Sequence, residues 1–144
     1  MRGRKKAITS DFISELGYRW YKQAKADLNS GKNTLNAQNY EWSCFQAQQA
    51  AEKGIMSFLY KNGYTSILTH SLKELIREAK KIENEFFRKE SEVKSLDLYY
   101  IPTRCPNGLA GNLAPFEFYE EEDAKKCLNY AESILKIVKK FMEK

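Results

Sequence analysis

Arg104 stands between two prolines in the run Tyr99-Tyr-Ile-Pro-Thr-Arg-Cys-Pro106. Proline stiffens the backbone, so this guanidinium has less conformational freedom left to lose on binding. Arginine forks onto phosphate and tyrosine stacks on bases, which makes Tyr100 and Arg104 candidates for a nucleotide site. A structural role weighs as much, with the tyrosines covering one end of the fold and Arg104 paired to a surface acid. The sole histidine, His70, directly precedes Ser71. Imidazole titrates near neutrality and could act as a base or donate to phosphate, or simply pack over a helix start. A third group is the polar belt Gln46, Gln48, Gln49, Glu52 and Lys53. Its amides and ammonium could meet a base or a phosphate. Mutual satisfaction at a helix–helix or subunit interface is the heavier reading.

Other chemistry is hard to place. The chain has no Gly-rich phosphate loop, no His-Glu-x-x-His run and no nucleophile elbow. The acids Glu120 to Asp123 suit the first turn of a helix, and no glutamate stands three residues before His70 as a di-iron site would need. Cys44, Cys105 and Cys127 form no Cys-x-x-Cys pair and make a poor disulfide framework. With one histidine, a zinc site would need cysteines converging from far apart. No catalytic residue, metal or cofactor is expected. Cys44 and Cys127 fall on apolar helix faces and read as small buried hydrophobes.

The elements that must position these residues read as helices. At 144 residues, with 42% hydrophobic and 30% charged side chains, the chain suits one globular domain spanning 1–144. Seven glycines and three prolines are few for a loop-rich or all-β fold. No apolar run approaches the ~20 residues of a membrane span, so no membrane partner and a cytoplasmic location are expected. The formal net charge is +5, and it sits in residues 1–70, much of it on Arg2, Arg4, Lys5 and Lys6. This arm, residues 1–9, could touch phosphate or be a solvated, flexible end.

Apolar spacing predicts a first helix over about 10–28, with Ser10 or Asp11 as N-cap and a stripe of Ile13, Leu16, Trp20, Ala24 and Leu28. Asn29 to Asn33 read as a turn. A second helix, about 35–62, carries the seam Tyr40, Cys44, Ala47, Ala51, Gly54 and Phe58, whose small middle lets a neighbour come close. Ser71 and Glu74 form a capping box for a third helix running to about Phe86. A short helix follows around 93–99, then a long irregular stretch over 101–118, then a last helix ending near Phe141. Together these predict an all-α, up-and-down bundle of four main helices plus a short fifth helix.

The string Ala47-Gln-Gln-Ala-Ala-Glu-Lys53, continuing to Phe58-Leu-Tyr60, resembles the central signature of HEPN domains. So do His70-Ser-Leu72 and Tyr100-Ile-Pro-Thr-Arg-Cys-Pro-Asn107. Trp20, Ala24, Asp27 and Leu28 near the start, and Tyr119, Ala124, Ala131 and Ile134 near the end, fit the same pattern. The resemblance implies a helical bundle that pairs as a homodimer and is associated with nucleotide or RNA binding. Prokaryotic members are often encoded beside a small nucleotidyltransferase, and some such pairs are toxin–antitoxin systems. Nuclease members carry an arginine, four to six residues, then a histidine, and two such pairs across a dimer cut RNA by attack of its own 2′-hydroxyl.

This chain departs from the nuclease pattern. The positions after Arg104 that would hold histidine are Leu109, Ala110 and Gly111. Those before His70 that would hold arginine are Gly63, Tyr64 and Thr65. General acid–base cleavage loses its agent at that spacing. Cys105 also stands where the family has tyrosine. The expectation is a binding module, a homodimer working with a nucleotidyltransferase partner. In its nucleotide site Arg104 and Lys53 would meet phosphate, Tyr100 would stack, Gln49 would bond base or ribose, and His70 would join them. The alternatives are a metal-independent endoribonuclease, with His70 brought to Arg104 by the fold, and a non-catalytic dimerisation scaffold.

Overall fold

The computed structural model describes residues 10–143. The basic arm at 1–9 lies outside the described residues. So do the side chains at positions 10, 11 and 13, where the sequence puts the first N-cap and one member of the first stripe. Six α-helices form among the described residues: α1 (Ser10–Asn36), α2 (Tyr40–Lys61), α3 (Leu72–Ile82), α4 (Glu90–Asp97), the one-turn α5 (Pro115–Phe118) and α6 (Glu121–Met142). 3-10 turns occupy Asn84–Lys89 and Pro106–Gly108, and no strand occurs among the described residues. This is the all-α bundle that the periodicities predict, with α4 as the short extra helix. The turn α5, inside the stretch read as irregular, is the addition.

Helix α2 is the axis of the molecule, covered by α1, α6 and the α3–α4 hairpin. Its small-residue seam faces α6. Cys44 meets Cys127, and a Cβ on Gly54 would overlap Leu135 Cδ2. The ring of Phe58 lies 5.4 Å from that of Phe141. These pairings advance together along both helices, so α2 and α6 run parallel. Helix α1 is antiparallel to α2: Trp20 stacks on Tyr60 at 5.9 Å near one end, and Ser43 Oγ donates to Gly31 O near the other. Cys44 and Cys127 are both fully buried, as their apolar positions foretell, whereas Cys105 is exposed. The neighbouring Cys127 thiol, and then burial, push the Cys44 thiol up.

Three helix ends differ from the sequence reading. Asn29-Ser-Gly-Lys-Asn33 is no turn, because α1 runs through it to Asn36. Gly31 lets α6 come close there, since a Cβ would sit 2.9 Å from Leu128 Cδ2. Ser30 and Thr34 both bond the Gln46 side chain of α2, at 2.7 and 2.6 Å. Tertiary contact here overrides turn chemistry. The reversal comes at 37–39 instead, with Gln38 at φ +67°, and α2 begins at Tyr40 rather than Leu35. The third helix stops at Ile82, and Phe86 is buried from the 3-10 turn that follows.

Candidate nucleotide site

Four α2 residues, Phe45, Gln48, Gln49 and Glu52, recur at spacings of three and four and so share one face. Two loops close over that face. The first delivers His70 at the start of α3. There Ser71 Oγ accepts from Glu74 N, as its capping position predicts, but the neighbouring amides use another residue. Asp97, the last residue of α4, accepts from Leu72 N at 2.8 Å and Lys73 N at 3.0 Å. A carboxylate at a helix N-terminus is favoured by both the free amides and the helix dipole. This bond ties the end of α4 to the start of α3 and so brings Tyr100 alongside His70. Their rings stack at 5.7 Å with 15° between planes.

The second loop places Arg104. The amides of Arg104 and Cys105 both donate to Ile101 O at 3.0 Å. Buried Thr103 donates to Tyr99 O, and Arg104 Nε donates to Tyr100 O at 2.9 Å. Gly108 lies against Pro102, where a Cβ would come within 2.9 Å of the proline Cα. The guanidinium carbon thus sits 4.6 Å from the Tyr100 ring centre and 4.7 Å from that of Phe45. Each such contact contributes about 0.5–1 kcal/mol when exposed. Only Nε is hydrogen-bonded among the described residues, and on this exposed side chain both Nη groups keep their donors.

Beneath the rings lies a buried polar floor. Glu52 is 3% exposed, and His70 Nδ1 is 3.5 Å from its Oε2. Burial pushes the Glu52 carboxyl above the usual carboxylate range, while His70, Gln48 and Lys53 pull it back. Gln48 is fully buried and accepts from Gln49 Nε2 at 2.8 Å. Among the described residues, Gln48 Nε2 and Glu52 Oε1 have no hydrogen-bond partner.

Of the five residues read from the sequence, the fold brings Arg104, Tyr100 and His70 into one cluster, with Gln49 at its edge. Lys53 turns the other way and pairs with Asp27 of α1 at 2.6 Å. Phe45 was not singled out by sequence, and Gln48 and Glu52 were read only as members of a polar belt. The signal for all three was present in the 45, 48, 52 spacing on one helix face. What was missing was knowledge of which loop would cover that face.

The HEPN domain family model matches residues 18–141. MJ1304 of Methanocaldococcus jannaschii, named as a proposed toxin, is 31% identical over 130 residues, with 85% of each chain covered. The crystal structure of TT1696 from Thermus thermophilus superposes with a TM-score of 0.77 at 29% identity, covering 86% of this chain and 96% of that one. ST0689, described as an archaeal HEPN homologue, superposes with a TM-score of 0.72 at 32% identity over 88% and 97% of the two chains. Helix order, motif positions and these likenesses agree: the chain belongs to the HEPN domain family.

Proposed function

We propose that this protein is a nucleotide- or RNA-binding HEPN module, the toxin-like half of a pair whose other half is a small nucleotidyltransferase. The observation that carries the binding reading is the guanidinium of Arg104, packed over both Phe45 and Tyr100 with neither Nη group hydrogen-bonded among the described residues. Such an arrangement presents a phosphate donor and a stacking surface together. Beneath it, Gln48 Nε2 and Glu52 Oε1 are buried without a hydrogen-bond partner among the described residues, which costs about 1–3 kcal/mol for each group and suits a polar site. The name of MJ1304 supports the toxin part. Exposed Trp42 beside Phe45, and exposed Leu98 and Ile101 flanking Tyr99 and Tyr100, suit burial against a second copy. Calorimetry with AMP, GMP and a short RNA tests the site. Saturable binding that falls at least about tenfold in Arg104→Ala is expected, a loss of about 1.4 kcal/mol. Unchanged affinity in the variant would remove the site from this loop.

A second reading, metal-independent RNA cleavage, has one observation behind it. His70 and Arg104 both pack on the Tyr100 ring although their sequence spacing is wrong for the nuclease pattern. Glu52 lies beside Nδ1, which leaves His70 Nε2 free to move a proton at a 2′-hydroxyl. Labelled RNA cut by the wild type but not by His70→Ala would establish this reading. Equal cleavage by both, or by neither, would end it.

A further inference from the structure

The hairpin that holds His70 and Tyr100 also encloses a cleft of about 230 Å³ between α3 and α4. Lys73, Ile76, Arg77 and Lys80 line it from α3, and Glu90 and Lys94 line it from α4. The α3 residues fall at spacings of three, one and three, so they form a single stripe, with buried Ile76 as the floor. Lys80 pairs with Glu90. Lys73, Arg77 and Lys94 have no acidic partner among the described residues. The other acids nearby are committed elsewhere. Asp97 caps α3, Glu78 binds Tyr64 and Lys81, and Glu92 pairs with Lys89. Glu74 lies off the stripe. Residues 71–144 hold 14 basic and 14 acidic side chains, so the excess positive charge in this cleft is spatial sorting and not composition.

The cations are strung out along α3. At 1.5 Å rise per residue, Lys73 to Lys80 covers roughly 10 Å, starting one turn from His70. A mononucleotide offers them a single phosphate group. A polynucleotide has a phosphate for each. A cleft with an apolar floor and a cationic rim takes a ribose–phosphate edge more readily than the scattered carboxylates of a protein surface. We infer that the α3–α4 cleft carries the phosphate backbone of an RNA strand whose base lies at Tyr100 and Arg104. The ligand is then an oligonucleotide and not a free nucleotide. This rests on the nucleotide-site reading above and deepens it.

The test measures binding of AMP and of an oligoadenylate of about ten nucleotides against KCl concentration. It compares the full chain with its Lys73→Gln/Arg77→Gln/Lys94→Gln variant. All three side chains are exposed, so the core is untouched. Each lost contact to a single strand flattens the salt dependence by about 0.7, so three flatten it by about 2. The expected result is at least about tenfold weaker oligoadenylate binding at low salt, that flatter slope, and unchanged AMP binding. Equal oligoadenylate affinity and slope in the two proteins overturns the inference and leaves the Arg104 site standing. AMP bound as tightly as the oligonucleotide does the same. If the variant loses binding to polyglutamate while keeping RNA, the cleft belongs to an acidic protein partner instead. A wild type that binds neither AMP nor RNA removes both this inference and the reading under it.

Discussion

At Glu52 the chain keeps a carboxylate where an apolar side chain would cost less. The group is buried, its Oε1 has no hydrogen-bond partner among the described residues, and His70 Nδ1 lies 3.5 Å from its Oε2. Because burial holds its carboxyl above the ordinary range, the folded state binds that proton more tightly than the unfolded state does. Its contribution to stability is present below the ordinary carboxylate range and is lost as pH rises. Glu52→Gln keeps the shape and removes the charge. Near pH 8 the variant should be more stable than the wild type by about 1 kcal/mol in urea unfolding, and the gap should close near pH 4. A variant that is less stable near pH 8 would show that the His70 contact outweighs desolvation. Stability gained together with weakened nucleotide binding would mark Glu52 as a residue retained for its site.

Helices were legible in the sequence wherever an apolar period was unbroken, and their ends were legible where the cap was local. The α2 seam, the Ser71 cap and the α6 stripe all stand where the residues put them. The errors share one cause. Asn29-Ser-Gly-Lys-Asn33 has turn composition, yet Gly31 and Ser30 serve contacts with α6 and α2 that only the assembled bundle reveals. The candidate site follows the same rule. Tyr100 and Arg104 were visible in one short run, whereas Glu52 and Phe45 needed the Asp97 tie between α4 and α3 to be seen beside them. Lys53 looked equivalent to Gln49 in the belt, but it stands one residue past Glu52 and pairs with Asp27 of α1. Close helix approach gives the test at this scale. A Cβ on Gly17 would stand 2.9 Å from Ser57 O and 3.0 Å from Lys61 N, both backbone atoms of α2. Backbone cannot swing aside as Leu135 can beside Gly54. Gly17→Ala should therefore cost roughly 1–3 kcal/mol in spite of alanine's better helix propensity, while Gly54→Ala should cost less. Equal unfolding midpoints for the two variants would contradict this ordering.

Across the whole molecule, apolar exposure is uneven. Trp42, Leu98 and Ile101 are exposed around the Phe45–Tyr100 cluster. If a second copy covers them, Trp42→Glu should yield a monomer by sedimentation at concentrations where the wild type is a dimer. A wild type that sediments as a monomer at micromolar concentration would end the dimer proposal. No described helix is long and apolar enough to cross a membrane, so these side chains are not part of a spanning helix. The parallel course of α2 and α6 carries one more consequence. Two parallel neighbours cannot be joined by a short turn, and the α3–α4 hairpin is the return crossing between them. That crossing is part of the core: Leu72, Leu75, Ala79, Val93 and Leu96 are buried, and the Phe86 ring lies 4.8 Å from that of Phe58 on α2. His70, Tyr100, Arg104 and the basic cleft all ride on that crossing, and the polar floor lies on α2. A ligand seated across the candidate site would touch both the crossing and α2, and would stabilise the packing of one on the other.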